Sequence, residues 1–187
     1  TVNRALRTLA EVGLLDRRRK AGTRVALHRI SKATLSIPLI RDEIEASGKS
    51  YGYHLLSQRS KAAPSSVVQK FALAGQANLL HVVALHEADG KPYVLENRWI
   101  NEKIMPHSED ICFAELSANE WLLQNTPFTH GDIDFSAKNA SQREATLLGT
   151  KPNTALFVIS RTTWDHEKAV TMVELVFHAG HRKRTQL

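Results

Sequence analysis

The 187-residue chain holds a single cysteine, Cys112, which excludes an intrachain disulfide and gives no indication of redox chemistry. No apolar run approaches the ~18 residues of a membrane span, and no signal-peptide core stands at the N-terminus, so the expected location is the cytoplasm. Catalytic signatures are scarce as well. No glycine-rich phosphate loop and no Ser or Cys nucleophile motif stands out. Nine histidines invite a metal hypothesis, but there is no His-x-His pair and no HExxH helix, and His178 with His181 beside a basic tail specifies no site. Neither a metal nor a cofactor is expected. Repeats and low-complexity tracts are missing too. What remains is a chain with 42% hydrophobic residues, enough to bury a substantial core, whose positive signals lie in charge and pattern.

The formal net charge is +6, and it is unevenly placed. Residues 1–32 hold nine Lys/Arg against two Asp/Glu, whereas the rest holds sixteen against seventeen. A basic end and a neutral body suggest two jobs.

The basic end, TVNRALRTLAEVGLLDRRRKAGTRVA, predicts a helix, a glycine stop and a hairpin. Thr1 is a candidate N-cap, Val2, Ala5, Leu6, Leu9 and Val12 recur at helical spacing, and Gly13 ends the pattern. The opposite side presents Asn3, Arg4 and Arg7. Asn suits adenine, and Arg suits guanine or phosphate, in the major groove. Leu14 to Arg19 and Arg24 to Leu27 predict two short strands around a tip at Lys20–Thr23 whose basic backbone suits phosphate or the minor groove. The plainer alternative is that the basic run Arg17–Lys20 is only solvated. Taken together the pattern describes the recognition helix and wing of a winged helix-turn-helix over residues 1–27, with DNA contacts expected at Thr1, Asn3, Arg4, Arg7, Arg19, Gly22 and Thr23. Residues 28–36 read as a linker.

From residue 37 onward helical and strand patterns alternate. A short helix follows Pro38 with Ile40 and Ile44 one turn apart; a strand is expected over Tyr51 to Arg59 and a helix from Pro64. Leu79 to Ala88 and Tyr93 to Asn101 form a hairpin through Asp89-Gly90-Lys91. A helix near Asn119 to Gln124, a strand from His130 to Lys138 and a helix from Ser141 to Leu148 come next. The second long hairpin has arms Ala155 to Trp164 and Val170 to His178. Hairpins with helices between them imply an α+β domain on an antiparallel sheet. Trp99, Trp121 and Trp164 are expected as core or interface aromatics.

These motifs resemble the GntR superfamily of bacterial transcription regulators. TVNRAL…LAEVGLL…RR…GT is similar to their recognition helix and wing, and PLIRDEIEASG, ADGKPYVLENRWIN, ASQREATLLG, LFVISRTTW and VTMVELVF are similar to their UTRA effector-binding domain, here residues 37–187. VNRALR, IRDEI, LENRWIN and ISRTTW look most like the HutC-type, histidine-utilisation branch. The C-terminal GHRKRTQL departs from the aromatic-containing final strand of the family. The resemblance implies a chorismate-lyase-like fold, a homodimeric repressor on a palindromic operator, and release by a pathway metabolite; for the HutC type that effector is urocanate, an imidazole acrylate.

Carried over by motif position, the effector residues are Arg41, His86, Glu96 and Glu174. Members sensing sugar phosphates tend to carry paired arginines where this chain has Ala84 and His86, which argues against a phosphorylated ligand. Independently, the Pro38–Arg41 turn offers N–H groups and a cation to a carboxylate, and Glu96 or Glu174 offers an imidazole an acceptor. A three-residue loop in the first hairpin pairs 84 with 96 and 86 with 94 and puts His86 and Glu96 on one face; a two-residue loop separates them. Each residue also has a plainer role: Arg41 pairing with Glu45, His86 half-exposed, either Glu solvated. A regulator sensing a sugar phosphate or another small acid, and a chorismate-lyase-like enzyme, are the competing functions. Glu96→Ala is expected to abolish the effector response and leave the fold intact.

Overall fold

The computed structural model describes residues 5–6, 15–18, 22–25, 39–105 and 111–183. The chain divides into two compact units, Thr1–Ile37 with Thr185–Leu187, and Pro38–Arg184. In the first, β1 (Leu15–Arg18) and β2 (Gly22–Val25) form an antiparallel hairpin. Gly22 and Thr23, expected in its tip, belong to β2 and pair with Arg18 and Arg17. Of the expected recognition helix, Ala5 and Leu6 are described and helical, while Thr1, Asn3, Arg4 and Arg7 lie outside the described residues, as does Arg19.

The second unit carries β3 (Tyr51–Ala62), β4 (Asn78–Ala88), β5 (Lys91–Ile100), β6 (His130–Asn139), β7 (Ala155–Asp165) and β8 (Lys168–Phe177). They make one antiparallel sheet in the order β3-β4-β5-β8-β7-β6. The helices are α1 (Ile40–Ala46), α2 (Ser65–Lys70), α3 (Ala118–Asn125) and α4 (Gln142–Leu147). Both α3 and α4 begin with a complete capping box, Ser117 with Glu120 and Ser141 with Glu144, which satisfies end N–H groups reciprocally.

The first hairpin decides the layout of the site. Asp89 and Gly90 both have positive φ, +52° and +70°, and they form a two-residue turn between the paired Ala88 and Lys91. That turn alone would put His86 and Glu96 on opposite faces. A bulge prevents it: Glu87 pairs with Pro92 and His86 with Val94, so Tyr93 is the extra residue and Ala84 still faces Glu96.

Alternation then sorts the core onto two faces. On one, Leu80, Val82 and Ile100 pack with Phe113 and Leu122, and Ile40 and Ile44 of α1 cover Val94, Val173, Leu175 and Phe177. On the other, Val83, Leu85, Leu95, Leu156, Val158 and Val176 meet Ala145 and Leu148 of the α4 region. Trp99 is buried, and Trp121 and Trp164 pack partly buried against the core. Beyond β8 the chain folds back, and the ring of His181 stacks on Phe177 with centroids 4.0 Å apart. Among the described residues no helix is long and apolar enough to cross a membrane.

Candidate functional site

The first sheet face holds a chain of polar side chains in its buried layer. His86 on β4 and Glu96 and Arg98 on β5 are each 1% exposed. Period-two alternation on β5 puts Arg98 on the face of Glu96, and the bulge brings His86 to it. The imidazole Nε2 lies 2.9 Å from Glu96 Oε2, and Arg98 Nε donates to Glu96 Oε1. The Tyr51 hydroxyl lies 2.9 Å from Nδ1, so in the tautomer that donates through Nε2 to Glu96 the hydroxyl donates to the ring. Tyr53 meets the same imidazole edge to face, centroids 5.2 Å apart. Burial opposes the charge on Glu96, but Arg98 and His86 outweigh it and hold the carboxyl far below the usual range.

Helix α3 closes this layer. Asn119 Oδ1 accepts from Arg98 Nη2 at 3.2 Å and also from Arg161 Nη2 of β7, and Arg98 Nη1 donates to Thr171 Oγ1 at 3.3 Å. Arg41 of α1 donates through Nε to Glu120 Oε1 at 2.7 Å, and its guanidinium lies 4.4 Å from the Tyr51 ring centroid. The pairing with Glu45 proposed from helical spacing is present but longer, at 4.0 Å.

Arg41, His86 and Glu96 therefore belong to one network. Glu174 does not. It pairs in register with Asn97, one residue away from the Glu96–Leu175 pair, and alternation sends it to the opposite face. There Lys138 bridges Glu174 and Glu144 at 2.7 and 2.6 Å. Glu174 also lines a cavity of about 230 Å³ with His81, Asn97, Ser141 and Arg143. Among the described residues no cluster of His, Cys, Asp or Glu has the arrangement of a metal site.

The UTRA domain pattern matches residues 46–183, most of the chain and all six strands of the large sheet. The chain belongs to the UTRA family. It is 30% identical to the histidine utilization repressor of Pseudomonas putida over 186 residues, covering 100% of this chain and 75% of that protein. The histidine utilization repressor of Klebsiella aerogenes is 26% identical, with 100% and 77% covered. A probable fructoselysine utilization operon transcriptional repressor of Escherichia coli K12 is 26% identical, with 96% and 75% covered. Among solved structures, the C-terminal domain of the histidine utilization repressor from Pseudomonas syringae pv. tomato superimposes with TM-score 0.68 at 23% identity, over 74% of this chain and 99% of that one. PhnF from Mycobacterium smegmatis gives 0.72 at 22% identity, over 98% and 82%. The fold is thus that of GntR-type effector domains, and the chain is a HutC-type transcriptional repressor with a ligand-binding domain, not an enzyme.

In this UTRA domain the residues that motif position failed to single out are Arg98, Asn119, Arg161 and the two tyrosines. Arg98 was readable, since it stands two residues from Glu96 on one strand. Asn119 and Arg161 were not, because their contacts to Arg98 and to each other join segments 21 and 42 residues apart.

Proposed function

We propose that this UTRA-domain repressor controls histidine utilisation genes and is released from its operator when urocanate binds the sheet face that carries Arg41, His86 and Glu96. The observation that carries the reading is the His86–Glu96 contact at 2.9 Å, sealed between Tyr51 and Arg98. A planar imidazole acrylate needs flat aromatic neighbours, an acceptor for ring N–H and a cation for its carboxylate. This face supplies the tyrosines, Glu96 and arginines. The likeness to histidine utilization repressors from end to end of the chain supports control of histidine utilisation. Glu174 is left out of the site because it faces the other way.

Residues 1–27 act as the DNA-binding part, 28–36 as linker and 37–187 as effector domain, in a homodimer on a two-fold operator. Thr1, Asn3, Arg4 and Arg7 read the major groove, and Arg19, Gly22 and Thr23 meet the backbone at the wing. In the full-length repressor Arg4→Ala weakens operator binding, and unchanged affinity across a salt titration contradicts the assignment.

Thermal unfolding of the chain with urocanate, histidine or N-acetylglucosamine-6-phosphate tests the effector. A saturating ligand at about a hundred times its Kd adds about 2.7 kcal/mol. Stabilisation by urocanate alone is the expected result. Stabilisation by the sugar phosphate alone overturns the histidine reading and keeps the repressor.

A further inference from the structure

Arg98 and Arg161 occupy one row of the sheet. Both register with Val173 of the intervening strand β8, so they flank it on the Glu96 face. Arg98 is 1% exposed and Arg161 6%. Their bonding is unequal. Among the described residues Arg98 has Glu96, Thr171 and Asn119 as partners, whereas Arg161 has only the amide oxygen of Asn119, which it shares with Arg98. Arg161 Nε has no hydrogen-bond partner among the described residues, and neither has the buried Tyr53 hydroxyl.

This layer therefore holds two guanidiniums and one carboxylate among the described residues. The Arg41–Glu120 pair beside it is balanced and does not change the count. An unpaired buried charge is strongly unfavourable, and an unsatisfied guanidinium N–H adds to the cost. Burial and the neighbouring Arg98 push Arg161 down to about 9, which leaves it cationic at neutral pH. The network lacks one negative charge and one acceptor for a planar fork.

We propose that Arg161 and Arg98, bridged by Asn119, form a subsite for the carboxylate of a monoanionic effector, with Arg161 as its principal ligand. The proposal rests on reading this face as the effector site, and it gives the carboxylate to Arg161 and not to Arg41, which is engaged by Glu120 and Tyr51. A monoanion neutralises the layer. A phosphomonoester dianion overshoots it. Guanidinium forks bind carboxylates bidentately, so Arg161→Lys keeps the charge and loses part of the geometry.

The test is calorimetric titration of the chain with trans-urocanate and its methyl ester, a neutral analogue of nearly the same shape. The wild type binds the acid about tenfold or more tighter than the ester. Arg161→Met binds both weakly and without preference, and Arg161→Lys retains a reduced preference. Without ligand, Arg161→Met melts no lower than wild type, because it removes an unpaired buried charge. Equal binding of acid and ester by wild type overturns the proposal, as does an acid preference that survives in Arg161→Met. If urocanate is not the effector, formate and acetate, as minimal carboxylates, still raise the melting temperature of wild type and not of Arg161→Met. Failure of urocanate with success of these ions contradicts the histidine reading alone, and failure of all three overturns the carboxylate subsite.

Discussion

The two faces of the UTRA sheet are both covered by helices, and they are held together differently. The α4 face is an apolar sandwich of Val83, Leu85, Leu95, Leu156, Val158 and Val176, and its ion pairs lie at the rim, where Lys138, Glu144 and Glu174 are 33, 15 and 35% exposed. The α1/α3 face instead puts His86, Glu96, Arg98 and Arg161 into the layer that a purely structural domain fills with hydrocarbon. Buried ion networks contribute little net stability compared with apolar packing of the same volume. In the proposed function this difference divides the work, with the α1/α3 face recognising the ligand and the α4 face serving as scaffold.

The comparison breaks most visibly at Glu96. Glu96→Ala leaves Arg98 and Arg161 buried with no carboxylate and lowers stability by about 3–5 kcal/mol, read as a fall in the urea midpoint. The expectation that this variant keeps the fold intact is thus revised: a side chain 1% exposed and paired with Arg98 is not a removable contact. On the scaffold face Leu156→Ala costs about 2–5 kcal/mol through lost packing, with effector affinity unchanged in calorimetry. Glu174→Gln, at the rim of that face, changes stability by about 1 kcal/mol or less and leaves effector binding at the wild-type value.

The smallest effect is in pH. Burial lowers the pKa of His181 to about 4, with His178 and Lys183 adding and Glu43 opposing. The unfolded imidazole titrates near ~6.5. Between those values the unfolded chain binds more protons than the folded one, so stability falls as pH drops from ~6.5 to about 4 and is flat above. His181→Phe keeps the stacking on Phe177 and flattens this segment of a thermal-unfolding pH profile. Glu96, held low by Arg98 and His86, titrates in a separate window that begins below ~4.3, where its stabilisation is lost as the carboxyl protonates.

Much of the fold was legible because its signals are local. Ser117 and Ser141 announce their helices through capping boxes, and Asp89-Gly90 announces the first hairpin. The shared face of His86 and Glu96 was legible only as a conditional, since it hung on loop length. The structure reaches it by another route, a two-residue turn corrected by a bulge at Tyr93. The place of Glu174 was not legible. Alternation separates Glu174 from Leu175, but which of them joins Glu96 depends on the pairing of β5 with β8, strands with 67 residues of chain between Ile100 and Lys168. Arginines in an apolar strand such as ISRTTW suggest a solvent-facing position, and the burial of Arg161 under Asn119 is a tertiary fact.

The most direct test of the division between the faces is calorimetric titration of trans-urocanate into wild type, His86→Gln and Glu174→Gln. Binding weakened about tenfold or more in His86→Gln and unchanged in Glu174→Gln is the predicted result. The reverse pattern, with Glu174→Gln impaired and His86→Gln unaffected, contradicts it and moves the effector to the α4 face.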